Sequence, residues 1–192
     1  MTQLFTLNEA MPVLTWLKRN TPLIHCLTNT VSMNFVANTL LAVGASPSMV
    51  AAWQEIGDFT LVADNLMVNV GSLTDARLRG ISMGVQTAHE NGKPWVLDPA
   101  AVSDKLSYRS SFARELLRYY PAVIRGNAAE ILYLAGEKSR NRGADSLNDS
   151  NEAIGAAQML AQRQNAIVVV SDESDYIVQS SKTQPNPKQI KE

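Results

Sequence analysis

The sequence predicts an α/β protein built on a mostly parallel sheet. Three observations carry this. Short apolar runs bounded by turn residues, such as Trp95-Val96-Leu97 and Ala166 to Val170, read as buried strands. Stretches with helical periodicity follow them, and the strand–helix alternation repeats at least four times. That pattern belongs to parallel strands joined by right-handed crossovers, with helices on both faces. Finally, 45% of the 192 residues are apolar, enough for a real core, and the length makes one domain the default.

The elements follow in order. Pro12 to Arg19 reads as a lead-in helix, and Leu23-Ile24-His25-Cys26-Leu27 as the first strand. Thr28-Asn29 supplies a cap for a helix through Val31, Phe35, Asn38 and Leu41, stopped by Gly44. Ala45 to Val50 is a loop entering a short extended piece, in which Met49 is most simply core filler. Leu66 to Val70 is a strand ended by Gly71. Thr74 then caps a helix whose Leu78, Ile81, Val85 and Ala88 keep the helical period. Asn91-Gly92-Lys93-Pro94 stops that helix. The next strand ends at Asp98, because the residue before Pro99 is pushed extended. Tyr108 to Tyr119 is an amphipathic helix closed by Pro121. The strand Ala122 to Arg125 leads into a helix from Asn127 to Ala135, ended by Gly136. Lys138 to Asn151 is a polar surface loop, Glu152 to Gln164 a helix, and Ala166 to Val170 the last clear strand, ended by Ser171-Asp172. Gln179 to Glu192 is almost wholly polar and is expected to be a disordered tail.

Composition excludes several function classes. A net charge of −1 provides no electrostatic attraction for nucleic acid or an anionic membrane. Cys26 is the only cysteine, so no internal disulfide can form and a reducing compartment suits the chain. No apolar run approaches ~18 residues and no charged-then-apolar leader opens the sequence, which leads us to expect a soluble cytoplasmic protein.

The motifs narrow the chemistry. Neither a Gly-x-x-x-x-Gly-Lys-Ser/Thr loop nor a Gly-x-Gly-x-x-Gly turn is present, and no Cys/His spacing suggests zinc. His25 and His89 read as structural, and Cys26 as an inert thiol inside a strand. The informative set lies at the predicted strand ends: Asn29, Asn69, Gly71, Asp98, Arg125, Asn127, Glu130 and Ser171. In an open parallel sheet, ligands collect outside the carboxyl ends of the strands. Asn127-x-x-Glu130 is a capping box on one reading. On another, Glu130 and Asp98 are the carboxylates of a magnesium site, completed by waters and substrate phosphates. The two are compatible, since a helix N-terminus also attracts phosphate. From the residues alone, the chain is an α/β protein suited to an anionic, phosphate-bearing ligand.

Four segments carry a more specific likeness. Pro22 to Asn29, Ala37 to Met49, Leu97-Asp98-Pro99 and Ile124 to Glu130 closely resemble hydroxyethylthiazole kinase, in order and at family spacing. The likeness covers roughly residues 12–178. It implies a three-layer ribokinase-like fold and transfer of the ATP γ-phosphate to the hydroxyl of 4-methyl-5-(2-hydroxyethyl)thiazole in thiamine salvage. It also implies a homotrimer with thiazole sites between neighbouring subunits. By motif, Met49 would contact the thiazole and Asn29 would lie near the nucleotide phosphates. Arg125 and Ser171 would contact ATP, and Asp98 and Glu130 would hold Mg2+ directly or through water.

The chain also departs from the family. Its Thr-Gly-Glu is Ser171-Asp172-Glu173 here, and the glycine of its Asp-Pro-x-Ala-x-Gly segment is Ser103. The family's Gly-Thr-Gly-Cys segment, whose N–H groups receive the transferred phosphate and whose cysteine acts near the substrate hydroxyl, does not occur. No catalytic cysteine is therefore assigned. The expected organisation is an incomplete kinase domain over residues 1–178, with its C-terminal part missing, and a polar tail over 179–192. The alternative to a working kinase is a catalytically impaired remnant or binding protein of the same family. A third option is another ribokinase-like enzyme, such as a hydroxymethylpyrimidine kinase or a nicotinamide-nucleotide-hydrate dehydratase. The Asn38 to Met49 segment argues against it.

Overall fold

The computed structural model describes residues 6–137, 141–142, 145–146 and 153–180. The chain divides into two compact units, Met1–Trp95 and Val96–Glu192.

In the first unit, β1 (Leu23–Leu27) lies between β2 (Ser46–Ser48) and β3 (Asn65–Asn69), and both pairings are parallel. The strand expected at Leu66 is therefore present, and so is the first strand. Helix α1 (Leu7–Asn20) starts at Leu7 rather than at Pro12, because Thr6 and Glu9 form a capping box. Helix α2 (Met33–Val43) starts later than expected. Ser32 is its N-cap, while the Asn29 side chain accepts the N–H groups of Val31 and Ser32 in a turn before the helix. Gly44 ends α2 at φ +96, as the sequence indicated; a Cβ there would also stand 2.8 Å from the Lys18 Cα of α1.

Helix α3 (Trp53–Val62) was not expected: its cap is Ala52 and Gly57 interrupts it, so its local signals are weak. Packing supplies what propensity does not. Ile56 and Thr60 are buried against α4 (Asp75–Glu90), where Gly80 and Gly84 leave room for the Ile56 side chain. The Thr74 cap on α4 is present, accepting from the Arg77 N–H.

The second unit holds β4 (Trp95–Asp98) from Val96 onward, β5 (Val123–Asn127), β8 (Ile167–Ser171) and β9 (Tyr176–Gln179). Strand β5 pairs in parallel with both β4 and β8, whereas β9 pairs antiparallel with β8. Between them in sequence come the short antiparallel β6 (Asn141–Arg142) and β7 (Asp145–Ser146). The Tyr108 helix is α5 (Ser107–Leu116), which tightens into a 3-10 turn over Leu117–Tyr119. Helix α6 (Ala128–Ala135) ends at Gly136 as read, and α7 (Ile154–Gln164) covers β8.

Ile124, Ile131, Leu160, Val168 and Val170 are wholly buried and form the core of this unit. Gln179, assigned to the tail from sequence, is the last residue of β9 and pairs with Ile167; Ser180 is buried. Most of the polar loop from Lys138 and all of the tail after Ser180 lie outside the described residues.

Candidate functional site

In the second unit, three strands deliver their carboxyl ends side by side. Asp98 closes β4, half-buried beside buried Pro99. Arg125 lies on β5 with its side chain exposed, and Asn127 ends that strand in register with Ser171 at the end of β8. No loop separates β5 from α6, so Asn127 is at once the last strand residue and the helix cap.

The capping box is complete: Asn127 Oδ1 accepts from the Glu130 N–H at 3.0 Å, and Glu130 Oε2 accepts from the Asn127 N–H at 2.8 Å. Glu130 does a second thing that the motif does not imply. Its Oε1 accepts the Ala101 N–H at 2.7 Å, tying the loop after Asp98 to the helix start. Ala101 sits at φ +60, a region that costs an L-residue of order 1–3 kcal/mol. Gly126 makes room for this arrangement, since a Cβ there would stand 2.9 Å from Glu130 Oε2 and 3.3 Å from Pro99.

Electrostatics bind the same residues. Burial pushes the Glu130 carboxyl above the ordinary carboxylate range, the two backbone N–H bonds pull it back, the charge of Asp98 raises it and that of Arg125 lowers it. Asp98, Arg125 and Glu130 thus share one local field. The Ser171 hydroxyl is buried and has no hydrogen-bond partner among the described residues. An orphaned buried hydroxyl has a cost that an incoming acceptor removes. The departures noted from sequence are absorbed locally. Asp172 accepts the Glu173 N–H inside the turn before β9. The Ser103 backbone is braced by Ser110, whose hydroxyl accepts from its N–H and donates to its carbonyl.

In the first unit, Asn29 and Asn69 meet: Asn29 Nδ2 donates to Asn69 Oδ1 at 2.9 Å, and the Gly71 N–H donates to the same oxygen at 2.8 Å. Met49 lines a small pocket with Cys26, Thr28, Met33, Arg77 and Ile81. Arg77 was missed from sequence, where an arginine in the first turn of an amphipathic helix reads as surface charge. The Cys26 thiol is pushed up to about 11 by burial, consistent with an inert group. His25 is fully buried, with Nδ1 2.9 Å from Thr60 Oγ1 and Nε2 2.9 Å from the Val50 carbonyl. It is a structural histidine that fixes the segment carrying Met49. His89 is exposed near the end of α4.

The profile of the Hydroxyethylthiazole kinase family matches residues 14–186. A hydroxyethylthiazole kinase of Dichelobacter nodosus is 59% identical over 158 residues, covering 82% of this chain and 58% of that protein. One from Tolumonas auensis is 50% identical, covering 84% and 60%. Among solved structures, hydroxyethylthiazole kinase protein from Pyrococcus horikoshii OT3 superposes with a TM-score of 0.78 at 30% identity, covering 91% of this chain and 65% of that one. Pyridoxal kinase from Entamoeba histolytica shares the fold at a TM-score of 0.55 and 16% identity. The chain spans about three-fifths of the length of these curated relatives. The family profile, the curated relatives and the parallel-sheet architecture agree, and the chain belongs to the hydroxyethylthiazole kinase family, with the ribokinase-like α/β fold.

Proposed function

We propose that the chain phosphorylates the hydroxyl of 4-methyl-5-(2-hydroxyethyl)thiazole with ATP, as a phosphotransferase of thiamine salvage. The observation that carries this is the shared field of Asp98, Arg125 and Glu130, with the orphaned Ser171 hydroxyl at the end of the neighbouring strand. An exposed arginine on β5, two residues before the strand's observed end at Asn127, and an unpaired buried donor at the end of β8 suit the phosphates of ATP. The pocket lined by Met49 suits a small, mostly apolar heterocycle, and Asn29, next to the pocket residue Thr28 and two residues past the end of β1, is the phosphate neighbour.

The donor set fits magnesium. Both Glu130 oxygens accept a backbone N–H, so Glu130 would act on the ion through water, with Asp98 as the second carboxylate of the pair. When bound, the ion neutralises charge developing on the transferred phosphoryl group. The chain's own part is to hold Asp98 and Glu130 in one field, to place Arg125 toward phosphate and to offer the Ser171 hydroxyl as a donor.

We further propose a homotrimer. Helix α2 is apolar yet buries no residue within the chain, and Val31, Phe35 and Leu41 stand exposed on or beside it. No described helix is long and apolar enough to cross a membrane, and the lone buried free thiol suits a reducing cytoplasm. The test of function is a coupled assay with ATP, magnesium and hydroxyethylthiazole. Turnover above the thiazole-free rate, reduced at least tenfold by Asp98→Asn, is the expected result, on the scale of a lost charge-stabilising group. Thiazole-independent ATP hydrolysis alone, or no turnover, would overturn the reading.

A further inference from the structure

The first unit contains a charged group that the proposed chemistry does not use. Arg77, in the first turn of α4, turns its guanidinium inward. Nη1 donates to the carbonyl of Thr28, just past the end of β1, and Nη2 donates at 3.1 Å to the carbonyl of Asn69, the last residue of β3. Nε is buried and has no partner among the described residues, and no acidic side chain among them pairs with the guanidinium. Burial lowers its pKa, but an arginine keeps its charge. A half-buried cation that, among the described residues, is held by two carbonyls alone is costly to maintain. Its geometry shows what it maintains.

We propose that Arg77 is the positioning residue of the strand-end site in this unit. Its fork joins the carboxyl ends of two adjacent parallel strands, whose register places Leu27 opposite Val68. Thr28 leads directly into Asn29, and Asn69 is the residue whose side chain Asn29 grips. One guanidinium therefore sets both halves of the Asn29–Asn69 pair, and it also forms a wall of the pocket that Met49 lines. A planar fork presents its donors at a fixed spacing; a lysine ammonium has three donors but places them all on one atom at the end of a flexible stem, and would hold the two strand ends less firmly. The clasped atoms lie at strand carboxyl ends, where this fold gathers ligands. The ligand arm of the test rests on the thiazole reading above; the positioning claim stands on the geometry.

The experiment uses the full 192-residue chain with Arg77→Met and Arg77→Lys. Side-chain amide spectra report Asn29 and Asn69, calorimetry reports affinity for hydroxyethylthiazole, and thermal melting reports folding. In a folded Arg77→Met chain, the Asn29 amide protons should move to solvent-exposed shifts and exchange roughly tenfold faster or more, as for a lost charge-assisted bond. The buried His25 ring signal should stay in place. Thiazole affinity should weaken roughly tenfold or more, with Arg77→Lys falling between. If Arg77→Met does not fold, Arg77→Lys decides the matter by the same amide readout. Unchanged Asn29 shifts and exchange in a folded variant would overturn the assignment, even if melting temperature fell. A wild-type chain that takes up no thiazole would instead sink the substrate reading, and the amide readout would still decide the role of Arg77.

Discussion

Single residues here carry more than one duty, and substitutions should reveal it. Gly126 has no side chain because Glu130 Oε2 and Pro99 occupy that space. Gly126→Ala should displace Glu130 and loosen its bonds to Asn127 and Ala101. Overpacking of this kind costs ~1–3 kcal/mol. Urea denaturation should show a lower midpoint at unchanged slope, and an unchanged midpoint would show that the carboxylate is free to move. His25 provides a pH test. Burial depresses its pKa in the folded chain, so in acid the folded state binds fewer protons than the unfolded one. Its stabilising contribution is whole above the unfolded value of ~6.5 and is lost as pH falls from there toward the depressed folded value. Glu130 acts in the opposite sense, since its raised pKa disfavours the folded state as pH rises through that value. The melting temperature should therefore fall from pH 7 to 5.5, and His25→Gln should flatten that slope. An equal slope in the variant would place the titration elsewhere.

Elements depend on one another at a few close approaches. Gly44 is both the left-handed cap of α2 and the place where α1 crosses it, with Lys18 backbone atoms 2.8 and 3.0 Å from where a Cβ would be. Gly44→Ala meets two penalties, an unfavourable φ and a clash with backbone that cannot swing aside. Left-handed strain alone is worth ~1–3 kcal/mol, so a loss at the upper end of that range is expected. Amide exchange should be faster along α1 as well as in α2; a change confined to α2 would refute the crossing as the cause. Helix α3 makes the complementary point. Its own sequence barely favours a helix, and it holds because Ile56 fills the space beside Gly80 and Gly84, while Thr60 bonds His25.

For the whole molecule, the exposed apolar residues of α1 and α2 are the main unfinished surface. Leu7, Met11, Val13 and Trp16 of α1, together with Val31, Phe35 and Leu41, are more than one-third exposed, an unusual concentration for a monomer's surface. Self-association through this face follows from the trimer proposal. Sedimentation at increasing protein concentration should show a species near three times 21.0 kDa, and Phe35→Asp should shift it to monomer. A monomer at high concentration would refute the trimer.

What the sequence determined by itself is the set of signals closed within a few residues. The strand–helix alternation, the Asn127–Glu130 capping box and the glycine stops at Gly44 and Gly136 all depend on atoms no more than about one turn apart. The strand stops at Asp98 and Ser171 were legible for the same reason, whereas the strand expected to stop at Arg125 runs on to Asn127, because pairing with β8 extends it past the apolar run. Tertiary structure decided the rest. Glu130 reaches Ala101 across 29 positions, and Arg77 reaches Thr28 across 49. Neither reach can be read before the strands are ordered side by side. Helix α3 likewise waited for α4, since burial rather than propensity holds it. A local signal is written in spacing, whereas a bond between distant strand ends exists only after the sheet has placed them together.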